Sequence, residues 1–169
     1  AKIFGFDDPI IEINITPNRS DCLSVRGIAR DLVAAGLGSL KKLKVDKIKG
    51  GFVSDVKWLR KFNQQDEYLC PGVAGRFFKN VNNTSSPEWL KRRLTAIGLR
   101  PINALVDITN YITHDLGRPL HVYDADKLSG NLTMRKAVVG EKCKTLDEKE
   151  YLLSEDMVVI SDDKKLHGI

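Results

Sequence analysis

Apolar and polar positions along this chain change period several times, and each change marks an element. Ile11, Ile13 and Ile15 alternate with Glu12 and Asn14, the two-residue period of a strand with one buried face, and Thr16-Pro17-Asn18-Arg19 stops it. Asp21 then reads as the N-cap of a helix from about Cys22 to Ala35, with Val25, Ile28 and Leu32 on its buried side and Gly36 beyond its end. Gly27, inside that helix, costs about 1 kcal/mol relative to alanine, so it marks either a close approach of another element or a tolerated surface glycine. From Gly36 to about Gln65 periodicity decays into Gly-Leu-Gly, a lysine cluster and Gly50-Gly51, which reads as a linker carrying a short strand around Phe52 to Trp58.

Val73 to Val81 is apolar and aromatic enough for another strand. Ser86-Pro87-Glu88 predicts a helix opening, with a serine cap, proline at the first helical position and an acid at the positive dipole end. Leu90, Leu94 and Ile97 give that helix its buried stripe, Trp89 adds apolar area at one flank, and Gly98 stops it. The densest stretch follows. Pro101 presets an extended entry, Asn103 caps, Leu105, Ile108, Ile112 and Leu116 form an apolar stripe, and Gly117 ends the helix. Asp107, Asn110 and His114 share the other face, and Arg118-Pro119 turns the chain so that His121 falls on a new element. These polar groups are either a solvated face with a core histidine after the turn, or one site.

Beyond the central helix, residues 131–138 alternate, and Thr145 to Leu153 predicts a hairpin turning at Asp147-Glu148-Lys149. Met157 to Ser161 reads as a buried strand closed by an exposed turn, Asp162-Asp163-Lys164-Lys165. The fold class is therefore α+β: a mixed and antiparallel sheet with a few packed helices and a strand-rich C-terminal half.

Composition narrows the function classes. The 169 residues are 42% apolar with a net charge of +5, and the basic excess concentrates at Lys41 to Lys49 and at Lys91-Arg92-Arg93. An anionic partner is favoured, although each cluster also reads as an ordinary solvated segment. Three widely spaced cysteines, Cys22, Cys70 and Cys143, fit neither a disulfide framework nor a zinc site, so a reducing cytoplasm is the simplest setting. No apolar run reaches membrane-spanning length, and the start AKIFGF has no signal-peptide character. The missing initiator methionine and the ending LHGI suggest a piece of a longer chain. Glycine-rich phosphate loops, nucleophile elbows, paired cysteines and HExxH spacing are all absent from the sequence. His114 and His121 are separated by helix-breaking Gly117 and Pro119, so no metal site is expected from them.

Two segments, IEINITPNRSDCLSVRGIARDL (Ile11 to Leu32) and RPINALVDITNYITHDLGRPLHVYD (Arg100 to Asp124), together resemble the beta subunits of bacterial-type phenylalanyl-tRNA synthetases. Two long motifs in the family's order are far more specific than one short pattern. The resemblance covers nearly the whole chain except the lysine-rich middle. It implies that residues 1–45 are part of an N-terminal structural domain, 46–67 a linker, and 68–169 the first part of an editing domain that hydrolyses tyrosine wrongly attached to phenylalanine tRNA. It also implies a cytoplasmic heterotetramer with an alpha subunit, phenylalanine tRNA as the nucleic-acid partner, and no role for DNA or membrane. ATP and Mg are expected for the whole enzyme, at the alpha subunit, and no cofactor is expected in this segment. The family usually has glycine where this chain has Glu148, so the loop there is expected to differ.

Editing asks a site to place a labile ester near water and to stabilise the developing oxyanion. By similarity to the family's motifs, His121 in PLHVYD, Arg100 in GLRPIN and Thr109-Asn110 in DITNY line the editing pocket. His121 would orient water or the terminal ribose, Arg100 would meet phosphate or a carbonyl oxygen, and Thr109 and Asn110 would contact substrate. Bland alternatives exist for each: a core histidine, a helix-end ion pair, and capping or surface roles. The family's acceptor for the tyrosine hydroxyl and its glycine-rich wall lie beyond the segment resembling LHGI, so this segment alone is expected to be inactive. The competing class is a non-catalytic RNA-binding or subunit-assembly module using the lysine cluster and the basic helix Glu88 to Ile97.

Overall fold

The structure is a computed structural model that describes residues 9–145 and 149–169. Contacts divide the chain into two compact units, one of residues 1–47 and 81–122 and the other of residues 48–80 and 123–169. The fold class is α+β, as the sequence predicts, with its strands concentrated in the second half.

The first unit holds three helices: α1 (Val25–Ala34), α2 (Glu88–Ala96) and α3 (Ala104–Leu116). Their C-termini are legible in sequence. Gly36, Gly98 and Gly117 all adopt positive φ, of 79°, 83° and 69°. After α1, Gly36 N–H bonds Val33 O and Leu37 N–H bonds Leu32 O, the paired closure that lets the last turn satisfy its own carbonyls. The same pair of bonds recurs after α2, from Gly98 to Thr95 and from Leu99 to Leu94. Asn103 caps α3 as expected, its Oδ1 accepting from Val106 N–H at 3.1 Å.

Two N-termini differ from expectation. The cap of α1 is Ser24, whose Oγ accepts from Gly27 N–H at 2.9 Å, because Asp21 is drawn into ion pairs with Arg19 and Arg30. Val25 and Leu32 consequently lie exposed rather than on a buried side. Gly27 is buried, and a Cβ there would fall 2.3 Å from Asp21 O, which makes it the close approach and not a surface glycine. Pro87 precedes α2 at the cap position, and Ser86 does not cap it, since its hydroxyl is committed to Asp107. Leu90 and Leu94 are buried as expected, whereas Ile97 and Ile108 are exposed. The expected strand at Ile11 to Ile15 has no ladder partner among the described residues, and Ile11 and Ile13 are 79% and 48% exposed. Alternation gives a strand its faces, but only a neighbour's backbone makes it one.

The second unit is built on a four-stranded mixed sheet. Strand β1 (Trp58–Lys61) pairs parallel with β2 (Leu132–Lys136); antiparallel β5 (Val158–Ser161) and β6 (Leu166–Gly168) follow, in the order β1-β2-β5-β6. β3 (Lys142–Lys144) and β4 (Glu150–Leu152) form a separate hairpin, as residues 145–153 foretold in part; its expected turn at Asp147 and Glu148 lies outside the described residues. Ala137, Cys143, Leu153 and Val159 make the core, with Leu166 packed against it. The linker's strand is displaced to Trp58–Lys61, and Val73 to Val81 forms no strand. Instead it runs so close to Trp58 that a Cβ on Gly75 would lie 1.9 Å from the indole Nε1. Asp162 overturns the reading of an exposed acidic turn. It is buried and accepts from the N–H groups of Ser129, Lys164 and Lys165 and pairs with His167 Nε2 at 2.9 Å. Burial would raise its carboxyl, but these donors outweigh that and hold it well below the usual range.

Candidate functional site

All four candidate residues fall in the first unit, on or beside α3. The start of that helix is anchored with unusual completeness. Its first N–H groups, which have no partner within a helix, are taken by Thr84 O (from Ala104, 2.9 Å), Asn83 Oδ1 (from Leu105, 3.2 Å) and Asn103 Oδ1 (from Val106, 3.1 Å). These three N–H groups are therefore committed within the protein.

The main anchor is a residue the sequence misassigns. Asp107 was expected on a polar face with Asn110 and His114, yet it is 0% exposed. Its Oδ2 accepts from Ser86 Oγ at 2.5 Å and its Oδ1 from Ile102 N–H at 2.9 Å. One carboxylate therefore ties the segment leading into α2, the α2–α3 connector and the first turn of α3 together. A buried carboxylate is tolerated only when donors satisfy it, so this pair of bonds fixes the local backbone.

Arg100 sits in that connector, exposed, with no hydrogen bond or ion pair among the described residues. The salt-bridge alternative for it is thus not realised, and its guanidinium keeps all its donors. Thr109 and Asn110 are half-buried in the middle of α3. The Thr109 hydroxyl donates to Val106 O at 2.7 Å, which leaves its oxygen able to accept. The Asn110 amide makes no hydrogen bond among the described residues. His121 is exposed on the irregular stretch after Gly117, so the core-histidine reading does not hold for it in this structure. Arg100 precedes a 13-residue helix and His121 follows it. A helix of that length spans roughly 20 Å, with Thr109 and Asn110 near its middle.

A second polar cluster stands at the entrance to α1. Asp21, Cys22 and Asp31 bring three ligand-type atoms within 4.8 Å of one another. The Arg19 guanidinium lies among them, 2.6 Å from Asp31, 3.0 Å from Asp21 and 2.8 Å from Cys22 Sγ. The position a cation would take is therefore filled by the protein's own side chain. Hydrogen bonds from Arg19 hold the Asp21 and Asp31 carboxyls below their usual range, and burial pushes the Cys22 thiol up.

Residues 69–169 match the B3/4 domain, and the chain belongs to that family. Over its whole length it is 56% identical to the phenylalanine–tRNA ligase beta subunit of Mesorhizobium japonicum, and it covers 21% of that protein. It is 55% identical over 163 residues to the beta subunit of the same name from Brucella melitensis, spanning 96% of this chain and 20% of that one. The Nitrobacter winogradskyi beta subunit is 52% identical over all 169 residues, again with 20% of its own length covered. The chain thus spans about one fifth of the relatives it matches. Among the described residues no helix is long and apolar enough to cross a membrane.

Proposed function

We propose that this chain is a segment of a phenylalanine–tRNA ligase beta subunit and carries part of the site that hydrolyses tyrosine misattached to phenylalanine tRNA. The observation that carries this reading is similarity from end to end at 52–56% identity to beta subunits of that ligase. In this reading residues 1–45 belong to an N-terminal structural domain, 46–67 connect, and 68–169 begin the editing domain. The B3/4 match beginning at residue 69 supports that division. The partners are phenylalanine tRNA and the alpha subunit in a cytoplasmic heterotetramer, and ATP and Mg serve the whole enzyme at the alpha subunit.

An aminoacyl ester needs little activation, so the residues' task is placement. The Asn110 amide, without a hydrogen bond among the described residues and carried on a helix with an anchored start, offers a donor and an acceptor to the substrate at little cost in reorganisation. The Thr109 oxygen beside it adds an acceptor. Arg100, with no carboxylate partner among the described residues, meets a phosphate or carbonyl oxygen. His121 orients the attacking water or the terminal ribose, and needs only a position on an accessible stretch to do so. The reading is tested by incubating the intact ligase with tyrosyl-tRNA and phenylalanyl-tRNA and following release of each amino acid. Selective release of tyrosine supports it; equal or absent release favours a non-catalytic RNA-binding or assembly module.

A further inference from the structure

Helix α2 carries two parallel rows. Leu90 and Leu94 are each 1% exposed, whereas Trp89 and Ile97 are each 49% exposed, with Arg93 between them at four-residue spacing. Side chains four apart on a helix stand in one row, so Trp89, Arg93 and Ile97 form a second, solvent-facing line beside the buried one. Tyr111 of α3 closes onto it. Its ring meets the Trp89 indole edge to face, with centroids 5.5 Å apart and planes at 85°, and its hydroxyl accepts from Arg93 Nη1 at 3.3 Å. The Arg93 guanidinium carbon lies 6.0 Å from the Trp89 centroid and 5.9 Å from that of Tyr111. Lys91 is neutralised by Glu88 at 2.8 Å, but neither Arg92 nor Arg93 is paired with a carboxylate among the described residues.

An exposed indole whose orientation is fixed by a second ring and a guanidinium, next to two arginines without a close carboxylate pair among the described residues, suits a partner with flat apolar faces and a regular negative charge. A protein surface supplies the first without the second. A nucleic-acid duplex supplies the second but hides its base faces. We propose that this row is a stacking site for an unpaired RNA base, which lies on the exposed face of Trp89 while adjoining phosphates meet Arg92 and Arg93. The row uses none of Arg100, Asn110 and His121 and concerns binding alone, so it stands or falls independently of the hydrolytic reading.

The test uses the intact ligase and a short single-stranded oligoribonucleotide carrying a photoreactive thiouridine. After irradiation, crosslinked peptides are mapped by mass spectrometry. Crosslinks are expected at Trp89 or Tyr111, reduced about fivefold or more in Trp89→Ala and kept within about twofold in Trp89→Phe, because any aromatic face supports stacking. Arg92→Gln is expected to flatten the salt dependence of the yield, since one phosphate contact is lost. A matched duplex should crosslink poorly at these residues. Thermal unfolding and subunit assembly of Trp89→Ala are followed in parallel. The proposal is overturned if the yield is unchanged in Trp89→Ala, if no crosslink maps to Trp89 or Tyr111, or if Trp89→Ala loses subunit assembly, which would make the row a protein-docking face.

Discussion

The Ser86 hydroxyl donates to Asp107 Oδ2 at 2.5 Å, and both side chains are buried. With the Ile102 N–H on the other oxygen, this carboxylate holds three separate stretches of backbone. Asp107→Ala would leave the buried Ser86 hydroxyl and the part-buried Ile102 N–H without this acceptor, at a cost of about 2–3 kcal/mol. The expected fall in melting temperature is roughly 4–12 °C. Asp107→Asn, which keeps an acceptor oxygen for Ile102, should fall less. Thermal unfolding of the two variants checks this, and an unchanged midpoint for Asp107→Ala would contradict the anchoring role.

In the second unit, Arg135 grips Glu141 with two hydrogen bonds, at 2.6 and 2.9 Å, and Val138 N–H adds a third at 3.0 Å. Hydrogen bonding from Arg135 holds the Glu141 carboxyl below its ordinary value of 4.5. A carboxyl that titrates lower when folded contributes stability fully above its unfolded value, and that stability is lost as pH falls through the folded one. Glu141→Gln should therefore cost about 1.5–3 kcal/mol at neutral pH, and the gap to the parent should narrow as pH falls below the ordinary value of 4.5. Denaturant titrations at several pH values measure the gap. A pH-independent difference would assign the effect to packing instead.

Every residue from 34 to 53 is exposed, and residues 39–50 have no regular structure. Exposed, unpaired backbone is where proteases gain access. Brief trypsin treatment should cut first among Lys41, Lys42, Lys44, Lys47 and Lys49. Lys91, Arg92 and Arg93 in α2 serve as an internal control, since a helix must unwind to enter the protease. First cleavage in α2 would contradict the assigned order.

What the sequence revealed was what short-range chemistry decides. Asn103 as a cap, Gly36, Gly98 and Gly117 as helix ends, the Leu90–Leu94 row and the strand at Val158–Ser161 all follow from neighbours a few residues away. Gly27 stayed open between a close approach and a tolerated surface glycine, and only the nearness of Asp21 O decides it. Asp107 was not legible. Its spacing matches that of Asn110 and His114, and only the arrival of Ser86 from 21 residues earlier turns a polar position into a buried one. Asp162 misled in the same way, since an acidic turn looks solvated until three backbone donors and His167 surround it. The apolar segments Ile11 to Ile15 and Val73 to Val81 had a strand's composition but no partner among the described residues. At the candidate site, periodicity alone left a solvated face as good a reading as a pocket. Arg100, Thr109, Asn110 and His121 stood out through the resemblance of their motifs.

The central claim is that these residues serve hydrolysis of a mischarged tRNA and not attachment of phenylalanine. The most direct measurement sets His121→Ala and Asn110→Ala beside the parent in the intact ligase, following tyrosyl-tRNA hydrolysis and phenylalanine attachment in parallel. Removal of one positioned polar group should slow hydrolysis by about tenfold or more while attachment stays within about twofold. Equal loss of both activities would mark the two residues as structural, and full retention of hydrolysis in both variants would contradict the claim outright.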